Sequence, residues 1–181
     1  MVSLPTGTVT FLLTGVDGST AGWPRHPAAP DRHAEIVFGA IAAWSGVRPV
    51  EEREGDNVVT VFSRAIDALA AALEIQLALQ REPWPDGGDL RVRIGVHNGE
   101  VVQLDAGRDA RTAVIRTGRT CNAARGGQVL VSASAAAIAS DSLSDGAEFV
   151  DAGAHRLRDL VRPEGLWWLA HTWSSWSWSR R

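Results

Sequence analysis

The chain has 181 residues, a net charge of −3 and a pI near 5.9, with 45% apolar and 22% charged residues. These values describe one ordinary globular domain and exclude a disordered or fibrous chain, and the acidic balance gives no overall pull toward nucleic acid or anionic lipid. All 18 basic residues are arginines, so Schiff-base chemistry and a Walker-type phosphate loop are excluded, and the single Cys121 allows neither an internal disulfide nor a thiolate zinc site.

In chain order, Met1–Pro5 lacks a basic segment followed by an apolar one, which predicts a cytosolic protein without a signal peptide. Residues 8–14 are β-branched and apolar on both faces, the pattern of a buried strand. Val16-Asp-Gly-Ser-Thr20 follows with turn and helix-cap residues. Pro24, Pro27 and Pro30 keep the next stretch irregular. A helix is expected from Asp31 to about Trp44, with Ile36, Val37, Ala40, Ile41 and Trp44 at helical spacing and Gly46 as its stop.

Residues 50–54 and 57–62 read as two strands around a Gly55-Asp56 turn. Ser63 is then expected to cap a helix whose Ile66, Leu69, Leu73 and Leu77 form the buried stripe. Residues 90–97 alternate like a strand, and Asn98-Gly99 predicts a hairpin returning over residues 100–104. Residues 105–111 read as a polar loop, 112–125 as a helix, 128–132 as a strand and 133–139 as a short helix. Residues 148–151 and 166–169 complete the strands, and residues 172–181 form a tail rich in tryptophan and serine. The most apolar stretch, residues 65–80, is too short and too charged to cross a bilayer. The order up to residue 104 is a ferredoxin-like β-α-β-β-α-β core, an antiparallel sheet with helices on one face and further strands toward the C-terminus, in one domain over residues 5–171.

Four segments in order carry a family resemblance: residues 8–20 (TVTFLLTGVDGST), 54–62 (EGDNVVTVF), 91–101 (RVRIGVHNGEV) and 126–132 (GGQVLVS). Together they resemble the class III nucleotidyl cyclase homology domain, most of all the actinobacterial cyclase-like domains that precede ATPase and helix-turn-helix modules in large regulators. The resemblance implies the class III cyclase fold and an active site shared between two protomers. In such cyclases a ribose 3′-hydroxyl attacks the α-phosphate of ATP or GTP, with two Mg or Mn ions held by two aspartates. A lysine reads the purine, and an asparagine and an arginine orient the ribose and stabilise the transition state.

Carried over residue by residue, the match is uneven. The first metal position is Gly15, which has no ligand atom, and the second is Asp56. The lysine position is Glu52, the asparagine position is Ile115, and the arginine is kept as Arg119. Asp56 reads either as a surviving metal ligand or as a turn aspartate capping its own backbone. Asp17, Gly18, Ser19 and Thr20 read either as a strand-to-helix turn or as a phosphate cradle of backbone N–H groups, and Asp17 is the one nearby carboxylate that could stand in for the missing ligand. His97, Glu100 and Cys121 read as structural.

The resulting expectation is a degenerate cyclase domain: a regulatory module with little or no cyclase activity, a homodimer or a heterodimer with another cyclase-like domain, and no nucleic-acid or membrane partner. An active adenylate or guanylate cyclase with unorthodox ligands or a complementing chain, and a sensor that holds ATP or GTP without turnover, are the competing readings. Mg or Mn enters only with a bound nucleotide.

Overall fold

The computed structural model describes residues 5–17, 29–48, 57–84, 90–101 and 108–172. Strand β1 (Gly7–Val16) leads to helix α1 (Ala29–Ala43), β2 (Val58–Phe62), α2 (Ala65–Arg81), β3 (Val92–Val101), α3 (Arg108–Ala123), β4 (Val129–Ser132), α4 (Ala133–Ala139), β5 (Ala147–His155) and β6 (Glu164–His171). A short 3₁₀ turn at Ser140–Ser142 follows α4. The strands form one six-stranded sheet in the order β2-β1-β3-β4-β6-β5. The pairings are antiparallel except β3 with β4, which run parallel. Parallel neighbours need a crossover, and α3 supplies it. The expected strand over residues 50–54 and the tail from 173 lie outside the described residues.

The two helices of the core up to residue 104, α1 and α2, pack on one face of the sheet as expected, and α3, beyond that range, covers the other. Along β1, Leu12 and Val16 enter a core built with Val37 and Ile41 of α1, Leu69 and Ile75 of α2 and Ala135 of α4. The intervening Val9, Phe11 and Leu13 enter a second core with Ala113 and Cys121 of α3. The two-residue period of a strand divides the layers in this way, which is why β1 is apolar on both faces.

The Asn98-Gly99 hairpin is not formed. Strand β3 runs straight through those residues, in register with β1 from Gly7↔Val101 to Val16↔Val92. A two-residue turn signal is local, whereas a ten-residue partner offers a full ladder of hydrogen bonds, and the ladder wins. Gly99 serves packing instead: a Cβ there would lie 2.5 Å from Ala113 Cβ. Gly95 does the same about two turns further along α3, where a Cβ would lie 2.4 Å from the Cys121 amide nitrogen. These two glycines let α3 settle onto β3 at close range.

Three further expectations shift. Helix α3 starts at Arg108, inside the stretch read as a loop. Helix α2 has Arg64 at its N-cap with no side-chain cap bond, so Ser63 is not the cap. Its buried face is Ala65, Ala68, Leu69, Ala72, Ile75 and Leu79, whereas Ile66, Leu73 and Leu77 are only half-buried. The alanines carry that face because they let α2 approach the sheet closely. Helix α1 ends as expected near Trp44, but its left-handed residue is Ser45 (φ 58). Gly46 is instead required by contact, since its Cβ would lie 2.7 Å from the Phe62 ring.

Gly39 has no such reason. It lies exposed within α1, and a Cβ there would meet nothing within 4 Å. Gly39→Ala should therefore stabilise the chain by about 1 kcal/mol, raising the melting temperature by about 2–4 °C in a thermal unfolding curve. A lower melting temperature would count against this helix register.

Candidate functional site

Gly15 lies at the end of β1, opposite Arg93 of β3, on the sheet face that carries α3. A Cβ at this position would lie 2.8 Å from Asn57 Oδ1 and 3.2 Å from Arg93 Nε. The space into which a residue-15 side chain would project is therefore lined by an amide oxygen and a guanidinium. Arg93 Nε is shielded from solvent and has no hydrogen-bond partner.

Asp17 is committed elsewhere. Its Oδ2 accepts the Gly126 N–H at 3.0 Å, and its own N–H donates to the Arg91 carbonyl at 2.8 Å. Gly126 permits this approach, because a Cβ there would lie 2.5 Å from Arg91 Cβ and 2.7 Å from Asp17 Oδ2. The carboxylate thus ties the end of β1 to the turn before β4. Gly18, Ser19, Thr20, Glu52 and Asp56 lie outside the described residues.

The described residues do not fit a two-metal centre. Gly15 has no ligand atom, Asp17 is bound to a backbone amide, and a guanidinium, which repels cations, stands beside position 15. Among the described residues no group of three or more His, Cys, Asp and Glu side chains could hold a metal ion.

The second cluster of sequence-derived positions is on α3. Ile115 is 46% exposed, an apolar side chain facing solvent. Arg119, one turn later, donates from Nη2 to Asp159 Oδ2 at 2.6 Å, and its Nε is shielded without a partner. Asp159 sits in the left-handed region (φ 61) within the β5–β6 connection, a conformation aspartate tolerates better than most residues. Arg116 pairs with Glu164 at 3.2 Å, a second link between α3 and the start of β6. The structure thus holds Arg119 within its own chain, through a residue that sequence reasoning did not single out.

His97 and Glu100 do not meet in a site. His97 is 6% exposed beneath α3, and burial together with the Arg116 guanidinium pushes its imidazole down to about 4. Glu100 is exposed and accepts the Thr8 hydroxyl at 2.8 Å. Cys121 is fully buried, and its desolvation pushes the thiol up to about 12, so it is no nucleophile. The position of Arg93 beside Gly15 was also missed. It depends on cross-strand register, and the only sequence signal was the arginine within residues 91–101.

No family model matches the chain. An uncharacterized protein of Mycobacterium tuberculosis is 40% identical over 171 residues, covering 92% of this chain and 57% of the relative. The adenylate cyclase of Schizosaccharomyces pombe is 31% identical over 160 residues, covering 73% of this chain and 9% of that protein. The chain thus spans little more than half the length of the mycobacterial relative and a small part of the yeast one. Among solved structures, an adenylate cyclase of Trypanosoma brucei in its monomeric state aligns with a TM-score of 0.71 at 23% identity, covering 93% of this chain and 91% of that one. An adenylate/guanylate cyclase/hydrolase from Silicibacter pomeroyi aligns with a TM-score of 0.69 at 26% identity, covering 91% and 97%.

Proposed function

We propose that this chain, which has the fold of class III adenylate and guanylate cyclase domains, is a regulatory module with little or no cyclase activity of its own. The observation that carries the reading is Gly15. The end of β1 supplies no carboxylate, the nearest one is bound to Gly126, and a guanidinium stands beside the vacancy of side chain. A cation pair resting on the remaining Asp56 would lose charge neutralisation and orientation together. Glu52 and Ile115 remove the base reader and the ribose-orienting amide at the other positions carried over from the family. What remains is the fold, the exposed face of α3 with Ile115, and association with a second copy or another cyclase-like chain across the faces that build the shared site in the family.

The test is an assay of the purified chain with ATP or GTP in Mn²⁺, which tolerates imperfect oxygen ligation, reading cyclic product by mass spectrometry. The expected result is none above blank. Turnover that disappears in Asp56→Ala would overturn the reading and return the chain to the active cyclases.

Repair probes the same point from the other side. Gly15→Asp requires the Asn57 side chain to swing away, since its Oδ1 is the atom in closest contact. With that movement Mn²⁺-dependent nucleotide binding should tighten by about tenfold or more in calorimetry, the scale of one added charge-assisted ligand. Adding Glu52→Lys and Ile115→Asn should then give measurable turnover, as each orienting or charge-stabilising group is worth on the order of 3 kcal/mol in the transition state. A folded Gly15→Asp variant that binds no better than the parent would show that residue 15 is not the lost ligand position.

A second reading, a sensor that holds ATP or GTP with Mg or Mn but does not turn it over, draws on the shielded and unpartnered Arg93 Nε beside Gly15. Calorimetry on the parent chain separates the two, because the sensor takes up nucleotide tightly without repair at residue 15, whereas the regulatory module binds it weakly or not at all.

A further inference from the structure

Strand β5 is an edge of the sheet, and among the described residues no strand pairs with its outer side. The Thr172 N–H donates to the Gly146 carbonyl at 2.9 Å, which makes these two residues a hydrogen-bonded pair at the start of the ladder. Such pairs alternate along an antiparallel ladder. Glu148 and Val150 therefore bond inward to β6, whereas Ala147, Phe149 and Asp151 turn their N–H and C=O groups outward. The Ala147 N–H is used locally, donating to the Ser144 carbonyl at 3.0 Å. Its carbonyl and both backbone groups of Phe149 and Asp151 face outward ahead of the bulge at Asp151/Gly153, a row that a further strand can pair with.

The same three residues share one face of the sheet. Ala147 and Phe149 are half-buried there and pack, with Trp167 of β6, against the core that contains Leu169. Phe149 stands at the outer rim of that core, because no described strand lies beyond it. Asp151 is exposed, and its Oδ1 accepts the Gly153 N–H at 2.7 Å. Among the described residues no cation pairs with it, and residues 140–154 contain four carboxylates and no basic side chain.

Residues 173–181, outside the described residues, read Trp-Ser-Ser-Trp-Ser-Trp-Ser-Arg-Arg. From Ser175 to Arg180 the types alternate, with Trp176, Trp178 and Arg180 at one set of positions and Ser175, Ser177 and Ser179 at the other. That is the two-residue period of a strand with one apolar side. The segment leaves β6 beside Gly146, at the start of β5. The outer side of β5 lies two strand spacings from β6, about 10 Å, and the four residues up to Trp176 reach about 13 Å. We propose that residues 175–180 of this chain dock along the outer side of β5 as a parallel strand, with Trp176, Trp178 and Arg180 beside Ala147, Phe149 and Asp151. In that register Trp178 extends the core over the rim at Phe149, and Arg180 meets a carboxylate in a stretch that holds no cation of its own. Covalent linkage gives the segment a millimolar effective concentration at the edge, which lets so short a strand occupy it. The contact makes no use of Gly15, Ile115 or Arg119, and it stands or falls independently of the regulatory-module reading.

Amide hydrogen exchange of the full chain, followed residue by residue by NMR, tests the proposal. The Phe149 and Asp151 amides should exchange about tenfold or more slowly in the parent than in Trp176→Ser with Trp178→Ser, because the docked strand accepts their hydrogen bonds. Arg180→Glu and Asp151→Arg should each speed the exchange, and the two together should restore the protection, since opposite charges then face each other again. A melting curve confirms that the variants fold. Dilution of the parent from about 500 to about 50 μM should leave the protection unchanged, as expected of a contact within one chain. The proposal is overturned if the two amides exchange as fast in the parent as in the tryptophan variant, or if the charge swap restores nothing. It is equally overturned if the protection falls on dilution, which would put the segment of a second copy on the edge. Cyclic product in the Mn²⁺ assay would sink the regulatory reading and leave these outcomes unchanged.

Discussion

Gly95→Ala should lower the melting temperature by about 6–12 °C, the shift that about 3 kcal/mol produces in a domain of this size. The new methyl carbon would lie 2.4 Å from the Cys121 amide nitrogen, 2.7 Å from its Cα and 2.8 Å from its Cβ. Two of these atoms are backbone, so no rotamer change relieves the contact, and α3 has to lift from β3 as a unit. Lifting it opens the core formed by Phe11, Leu13, Val101 and Ala113, and Arg116 and Arg119 are carried away from Glu164 and Asp159. Gly118→Ala on the same helix is the matched control. Its Cβ would meet only Leu13 Cδ1, at an ordinary 3.8 Å, so the substitution should be neutral or stabilising. Gly99→Ala probes the other close approach, where the clash is with the Ala113 methyl, and Ala113→Gly should recover part of the loss. Thermal unfolding of the four variants decides the matter. A Gly95→Ala protein as stable as the parent would mean that α3 rides higher on the sheet than described.

The same contact explains what could be read from the sequence and what could not. Strands β1, β2 and β4 and helix α4 were legible, because short apolar or β-branched runs bounded by glycine, serine or proline have few competing interpretations. The turn at Asn98-Gly99 was misread because Gly99 is there to admit Ala113, a long-range requirement that a local dipeptide rule does not contain. The stripe of α2 was drawn through its large side chains, whereas Ala65, Ala68 and Ala72 face the sheet, since small residues allow the closest packing. At the site, the resemblance alone sets Gly15 where the family carries a carboxylate. The commitment of Asp17 to Gly126, the guanidinium of Arg93 beside Gly15 and the hold of Asp159 on Arg119 were not legible, because each joins residues far apart in sequence and depends on register.

His97 should make the fold acid-sensitive in a defined window. Its ring is 6% exposed on β3, and its Nδ1 is buried without a hydrogen-bond partner. Burial, reinforced by the Arg116 guanidinium, disfavours the imidazolium and holds the folded value at about 4 against 6.5 for the free side chain. Above about pH 6.5 the ring is neutral in both states and its contribution to stability is complete. Between 6.5 and 4 the unfolded chain takes up a proton that the folded chain refuses, so stability falls with pH by about 1.4 kcal/mol per unit. Below 4 both states are protonated and the loss levels off, at on the order of 3 kcal/mol in all. Carboxylates titrate in the lower part of the same range, so the parent curve alone does not isolate the histidine. His97→Leu does: the replacement is apolar, of similar size, and leaves no unpaired nitrogen behind. Denaturant unfolding of both proteins between pH 7 and 4 is the measurement. The parent should lose more stability than the variant, and most of the difference should accumulate between pH 6.5 and 5, where few carboxylates titrate. Parallel curves for the two proteins would show that His97 takes up its proton in the folded state, which requires an acceptor for the imidazolium beneath α3 or movement of the helix away from it. The second outcome would appear as a loss of the Arg116–Glu164 and Arg119–Asp159 links at acid pH, because α3 carries both arginines.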